Sequence, residues 1–148
     1  MKKENEMRLE FDSRPCNEGF ARVAVAAFMT QLNPTLEEVA DVKTALSEAV
    51  TNAVIHGYEG KEGKIEIHCK IVEQQIEVEV TDHGVGMEDV EKAMEPFFTT
   101  KGSCERTGMG FSFMEAFMDR LEVISVPGKG TTVKMMKEII HRDNKFER

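Results

Sequence analysis

Two stretches of strict alternation constrain this chain more than anything else in it. Ile65, Ile67, Cys69 and Ile71 alternate with Glu66, His68, Lys70 and Val72, and Ile76, Val78 and Val80 alternate with Glu77, Glu79 and Thr81. Successive side chains of a strand point to opposite faces, so each stretch reads as a strand with one apolar and one charged face. A parallel sheet covered on both sides would read as continuous apolar runs instead. The pattern therefore calls for a mostly antiparallel sheet with helices on one face. The charged face is left to water or to a partner. The hairpin turn between the two strands falls near Glu73-Gln74.

The rest of the chain supplies the other elements. Met7, Leu9 and Phe11 alternate with Arg8, Glu10 and Asp12, a further half-buried strand. Pro15 opens a helix expected to carry Phe20, Val23, Ala24, Ala27 and Phe28 on one side. Thr35 and Glu38 form a capping box for a second helix, which runs to about His56 and is ended by Gly57. A third helix is expected over 110–119, then strands near 121–126 and 131–138 flanking Pro127-Gly128-Lys129-Gly130. The order β-α-α-β-β-loop-α-β-β describes an α+β fold, a two-layer sandwich whose mostly antiparallel, mixed sheet has helices on one face only. With 148 residues and no Pro/Gly/Ser linker, one domain over 1–148 is expected, fraying in the polar tail 141–148.

Composition excludes several function classes. The longest apolar run has seven residues, 23–29, far short of the roughly 20 that span a bilayer. The basic N-terminus is followed by no apolar segment, so it does not read as a signal peptide. With 19 basic and 27 acidic residues the net charge is −8, which argues against duplex DNA or an anionic membrane as partner. Cys16, Cys69 and Cys104 are too few and too scattered for a disulfide framework, so reduced thiols in a cytoplasmic protein are expected. His56, His68, His83 and His141 show no metal-ligand spacing, so no metal site made of protein ligands alone is expected.

Four motifs carry chemistry. Glu48, Asn52 and His56 stand at i, i+4 and i+8 of the second helix, one row of carboxylate, carboxamide and imidazole. Alone, such a row is equally a solvated polar face. The strand over 75–81 runs into Asp82-His83-Gly84-Val85-Gly86. Its carboxylate can accept from an exocyclic amine while Gly84 and Gly86 leave room for a ring, or the segment is an ordinary glycine-rich turn. Gly108-Met109-Gly110 precedes the third helix, where free N–H groups and the helix dipole suit phosphate, with Lys101 and Arg106 upstream as counter-charges. The segment Gly128-Lys129-Gly130-Thr131-Thr132 is no P-loop, because Val123 stands where the first glycine is needed.

The order and spacing of these motifs, with Glu95-Pro96-Phe97-Phe98-Thr99-Thr100-Lys101 between them, resembles the ATPase superfamily of gyrase B, the Hsp90 chaperones, histidine kinases and MutL, over about residues 45–135. That resemblance implies a Bergerat-type ATP-binding fold and ATP or ADP as ligand. It implies Asn52 as the holder of Mg²⁺, Asp82 as acceptor for the adenine amino group, and Thr131, or Thr132, in support of that contact. It places Gly84, Gly86, Gly108 and Gly110 along the nucleotide, Lys101 and Arg106 at the distal phosphates, and Glu48 as general base.

Size narrows the branch. The expected single domain leaves no room for the transducing domain of gyrase, Hsp90 or MutL. The 47 residues before Glu48 contain no His for autophosphorylation. The segments 20–28, 47–58 and 106–111 resemble the anti-sigma serine kinases, sporulation branch. This resemblance implies a homodimer that holds a sporulation sigma factor and phosphorylates an anti-anti-sigma protein on serine, with no nucleic acid or membrane contact. It sets Arg22 on the partner-contacting surface, where the alternative is a plain helix charge, and Thr51 near the γ-phosphate, where the alternative is helix packing. A stress-response kinase with another sigma partner, a nucleotide-gated binding module without transfer, and a general ATP hydrolase are the competing readings.

Overall fold

The computed structural model describes residues 4–94 and 110–140. In chain order they form β1 (Glu4–Asp12), α1 (Asn17–Met29), a 3₁₀ turn (Thr30–Leu32), α2 (Leu36–Asn52), a π turn (Ala53–Gly57), β2 (Lys64–Val72), β3 (Gln75–Asp82), α3 (Val90–Ala93), α4 (Gly110–Phe117), β4 (Arg120–Val126) and β5 (Gly130–Glu138). The sheet order is β1-β2-β3-β5-β4. Every pairing is antiparallel, so the parallel pair that a mixed sheet would contain is absent among the described strands.

The alternation read in β2 and β3 decides the layering. Ile65, Ile67, Cys69, Ile76 and Val78 are fully buried on one face, in one core with Leu46 and Val50 of α2 and Met114 of α4. Burial pushes the Cys69 thiol up to about 12, so it stays a neutral packing group. On the bare face the register lines up Arg8, His68, Glu79, Lys134 and Glu122 across the sheet. Charges mostly alternate along this row, which suits strands whose outer side faces water.

Two helices differ in detail from the sequence reading. The capping box at α2 forms as read: Thr35 Oγ1 accepts from the Glu38 N–H at 3.0 Å and Glu38 Oε1 from the Thr35 N–H at 2.9 Å. Beyond Asn52, however, the helix widens into a π turn, in which the Tyr58 N–H donates to the Ala53 carbonyl at 2.9 Å. In α1 the apolar side read from the sequence is not the side that is buried. Ala21, Val25 and Met29 are the buried residues, at i, i+4 and i+8, while Phe20 is 54% and Val23 63% exposed. Ala27 is exposed beside them and Phe28 is half-buried. Helix α1 is apolar on opposite sides, and periodicity alone does not tell which side meets the core.

Candidate functional site

Two clusters of predicted residues come together on the helix-covered side of the sheet. The first surrounds Asp82 at the end of β3. The residue is 5% exposed, and burial raises its carboxyl above the usual carboxylate range. The N–H groups of Gly84 and Thr131 oppose that rise, the first at 2.9 Å from Oδ1. A buried carboxylate with part of its acceptor capacity left is suited to an amine-bearing ligand.

The walls of this cluster are backbone. A Cβ on Gly84 would lie 2.0 Å from the Gly57 carbonyl oxygen, and the Val85 N–H donates to that same oxygen at 2.9 Å. Gly57 in turn passes so close to Asp82 that its own Cβ would fall 2.8 Å from the carboxyl carbon. Gly86 has φ +72°, and its absent Cβ would meet the Val126 carbonyl oxygen at 2.2 Å. The glycines read as room for a ring are thus required first by chain against chain.

Strand register places Thr131 of β5 directly beside Asp82, on the same face. Thr132 points the other way, its hydroxyl 3.1 Å from that of Thr81 on the bare face. Of the two threonines left open by the sequence, Thr131 is the one that shares the Asp82 face.

The second cluster lies on α2 and the start of α4. A Cβ on Gly110 would stand 3.1 Å from Asn52 Nδ2 and 3.2 Å from Glu48 Oε1. The first residue of α4 therefore sits over the carboxylate and carboxamide that α2 presents one turn apart. Thr51 is half-buried on the neighbouring face of α2, and it is not among the atoms nearest Gly110. Lys101, Arg106 and Gly108, with the 95–101 segment and Cys104, lie outside the described residues.

One helix joins the clusters. Gly57 follows Asn52 by five residues, roughly 8 Å along a helix axis. The π turn thus carries the chain from the Glu48/Asn52 pair to the Asp82 carboxylate. Such widened turns recur at functional sites. Arg22 stands apart, on α1, in an ion pair with Glu18 at 3.3 Å; the Glu18 carboxylate also accepts from the hydroxyl of Ser47, next to Glu48.

Sequence reasoning missed three contributors. Gly57 was read only as a helix stop. Tyr58 donates to the Lys64 carbonyl at 2.5 Å and accepts from the His83 N–H at 2.8 Å, tying β2 to the Asp82 turn. Ser125 of β4 lies 2.7 Å from the Thr131 hydroxyl. The first two adjoin the His56 motif and could have been flagged by it; Ser125 carries no local signal and needs the register of three strands. A separate cleft of ≈ 470 Å³ lies at the other end of α2, near Glu37, Asp41, Asp119 and Lys137. Its Lys137 is engaged by Asp41 and the Phe117 carbonyl, and the other charged residues of the lining are all acidic, so it does not suit phosphate.

No helix among the described residues is long and apolar enough to cross a membrane. Comparison with known proteins gives the lineage. The histidine kinase-like ATPase domain matches residues 11–137. A protein named anti-sigma F factor from Caldanaerobacter subterraneus subsp. tengcongensis is 58% identical over 139 residues, 94% of this chain and 97% of its own length. One of the same name from Clostridium botulinum is 57% identical over 136 residues, 91% of this chain and 95% of its own. Among solved structures, the RsbU and RsbW domains of a Mycobacterium tuberculosis protein superpose with TM-score 0.65 at 18% identity, over 91% of this chain and 32% of that one. The histidine kinase domain of a blue-light activated kinase from Erythrobacter litoralis gives 0.55 at 18%, over 82% and 61%. These two share the fold. The chain belongs to the anti-sigma F factor family, and its body is a histidine kinase-like ATPase domain.

Proposed function

We propose that this protein is an anti-sigma factor that captures sigma F and, with Mg-ATP, phosphorylates a serine of the anti-anti-sigma protein that opposes it. The observation that carries the reading is the path of α2. It brings Glu48 and Asn52 under the first residue of α4 and, five residues later, brings Gly57 against the Asp82 carboxylate. A base and a polyphosphate joined by a ribose need two such ends at a fixed distance.

Asp82, supported by Thr131, accepts from the adenine amino group. Gly84 and Gly86 shape the adjoining wall. Gly110, the first residue of α4, and Gly108 receive phosphate, with Lys101 and Arg106 as cations and Thr51 beside the γ-phosphate. The donor set fits Mg²⁺. Asn52 offers a hard carboxamide oxygen, and no cluster of three or more metal-ligating side chains exists among the described residues. An ion held by one side chain, phosphate oxygens and water is the usual Mg²⁺ arrangement. When bound, it neutralises charge that builds on the phosphates.

In the reaction the serine oxygen forms a bond to the γ-phosphorus as the bond to the β,γ-bridging oxygen breaks. ADP leaves with that electron pair, and Glu48 takes the serine proton. A histidine imidazole would need no such base, so Glu48 favours a hydroxyl acceptor.

The homodimer draws on the outer face of α1. Phe20 and Val23 are exposed one turn apart, with Ala27 a turn further, an apolar stripe of the kind that marks a protein interface. Arg22 adjoins it as a partner contact. A cytoplasmic location follows from this role.

Transfer of labelled γ-phosphate from Mg-ATP to a purified anti-anti-sigma protein tests the reading. Label on serine with wild type, lost with Glu48→Ala, is the expected result. ATP bound without label would leave a nucleotide-gated binding module. Free phosphate without a labelled acceptor would mean a hydrolase.

A further inference from the structure

Asp82, Thr131 and Ser125 form a single row across β3, β5 and β4, on the face that the helices cover. The Ser125 hydroxyl has three neighbours. It accepts from the Met87 N–H at 2.8 Å, faces the Gly130 carbonyl at 3.2 Å, and lies 2.7 Å from the Thr131 hydroxyl. A hydroxyl has one proton and two acceptor positions. The Gly130 carbonyl can only accept, so in the arrangement that serves all three contacts it takes the Ser125 proton. The Met87 N–H can only donate, so it fills one acceptor position. The remaining acceptor position is then met by the proton of Thr131.

We propose that Ser125 determines the base specificity of the site by committing the Thr131 proton, which leaves Thr131 Oγ1 as an acceptor beside the Asp82 carboxylate. The proposal deepens the adenine reading above and rests on it. Two adjacent acceptors match an exocyclic amine, which has two protons to give. They repel a ring oxo group at the same position. Ser125 is a positioning residue: it acts through Thr131 and need not touch the nucleotide. Without it, the Thr131 hydroxyl is free to turn and donate to an oxo group.

Calorimetric titration of the full chain with ADP and with inosine diphosphate tests this, because the two differ at that ring position. Wild type is expected to prefer ADP. In Ser125→Ala the ADP-to-IDP affinity ratio is expected to fall about tenfold, the size of one hydrogen bond's worth of discrimination. Ser125→Thr, which keeps the hydroxyl, is expected to restore it. Ser125→Ala also strips the Met87 N–H of its acceptor, so Ser125→Cys, with a weak donor and acceptor of similar size, is the second variant and should lower the ratio in the same direction. Equal weakening of both nucleotides, with an unchanged ratio in the Ala and Cys variants, overturns the proposal and leaves Ser125 a packing residue. A wild type that binds neither nucleotide overturns the adenine reading and the proposal with it.

Discussion

At the Asp82 end of the site the tight contacts are backbone on backbone, with a Gly84 Cβ only 2.0 Å from the Gly57 carbonyl. At the Glu48 end they are the tips of side chains, with a Gly110 Cβ 3.1 Å from Asn52 Nδ2. The first arrangement cannot yield without moving a strand or the end of a helix. The second can yield by a rotamer. Under the proposed function, a base that is the same in ATP and ADP would be served by the rigid wall, and a phosphate chain that changes length during transfer by the adjustable groups. Substitutions at the two ends should therefore fail in different ways.

The largest effect is expected at the adjustable end. Loss of a general base typically costs about 10²–10⁴ in rate. Glu48→Ala should lose phosphotransfer by that factor in a single-turnover assay while ADP affinity is unchanged. Wild-type transfer in that variant would remove Glu48 from the mechanism.

Asp82→Asn should do the reverse, weakening ATP and ADP alike by about 10–100-fold, the range of a hydrogen bond to a charged group. Calorimetry on both nucleotides checks it, and unchanged affinity refutes the adenine contact. The same variant carries a pH signature. The folded carboxyl of Asp82 is raised above its unfolded value, so in that window the folded state holds the proton more tightly and stability falls as pH rises. Asparagine does not titrate. The melting temperature of the variant minus that of wild type, both without nucleotide, should therefore grow from acid pH up through the Asp82 pKa and then level off. A flat difference between pH 3 and pH 7 would mean that the carboxylate is not buried at a cost.

Glycine substitutions separate the ends by stability. Gly84→Ala forces overpacking against backbone, expected to cost about 1–3 kcal/mol or more. Chemical denaturation should show the loss. Gly110→Ala meets side-chain atoms that can shift, so its denaturation midpoint should stay close to wild type while nucleotide binding weakens. Equal losses of stability would erase the contrast between the two ends.

The sequence made the rigid end partly legible and the layering fully so. Alternation in β2 and β3 forced one covered face, because a slip of one residue would expose every isoleucine. Asp82 with its glycines and Glu48 with Asn52 were visible because their spacing is local. The choice of Thr131 over Thr132 beside Asp82 and the contact of Ser125 with Thr131 depend on register between strands distant in the chain, and local spacing does not encode that. The buried side of α1 was not legible in the sequence for a physical reason of its own. Its apolar residues ring the helix, so the hydrophobic stripe that ordinarily fixes orientation had no single direction.

The smallest change in the free protein is expected at Arg22, which sharpens the comparison by lying outside both ends. Its pair with Glu18 is a partly exposed i,i+4 contact, of a kind worth about 0.3–0.5 kcal/mol. Glu18 also holds Ser47, the residue before Glu48, so its carboxylate ties α1 to the Glu48 stretch of α2. Arg22→Glu places a like charge one turn from Glu18, yet Ser47 still donates to it. The variant should melt close to wild type, bind ADP normally and lose capture of both protein partners in a pull-down. Unimpaired capture would reduce Arg22 to a solvated helix charge. Lost ADP affinity would mean that the Glu18–Ser47 contact transmits to Glu48 and Asn52, and that the partner surface and the phosphate end behave as one unit.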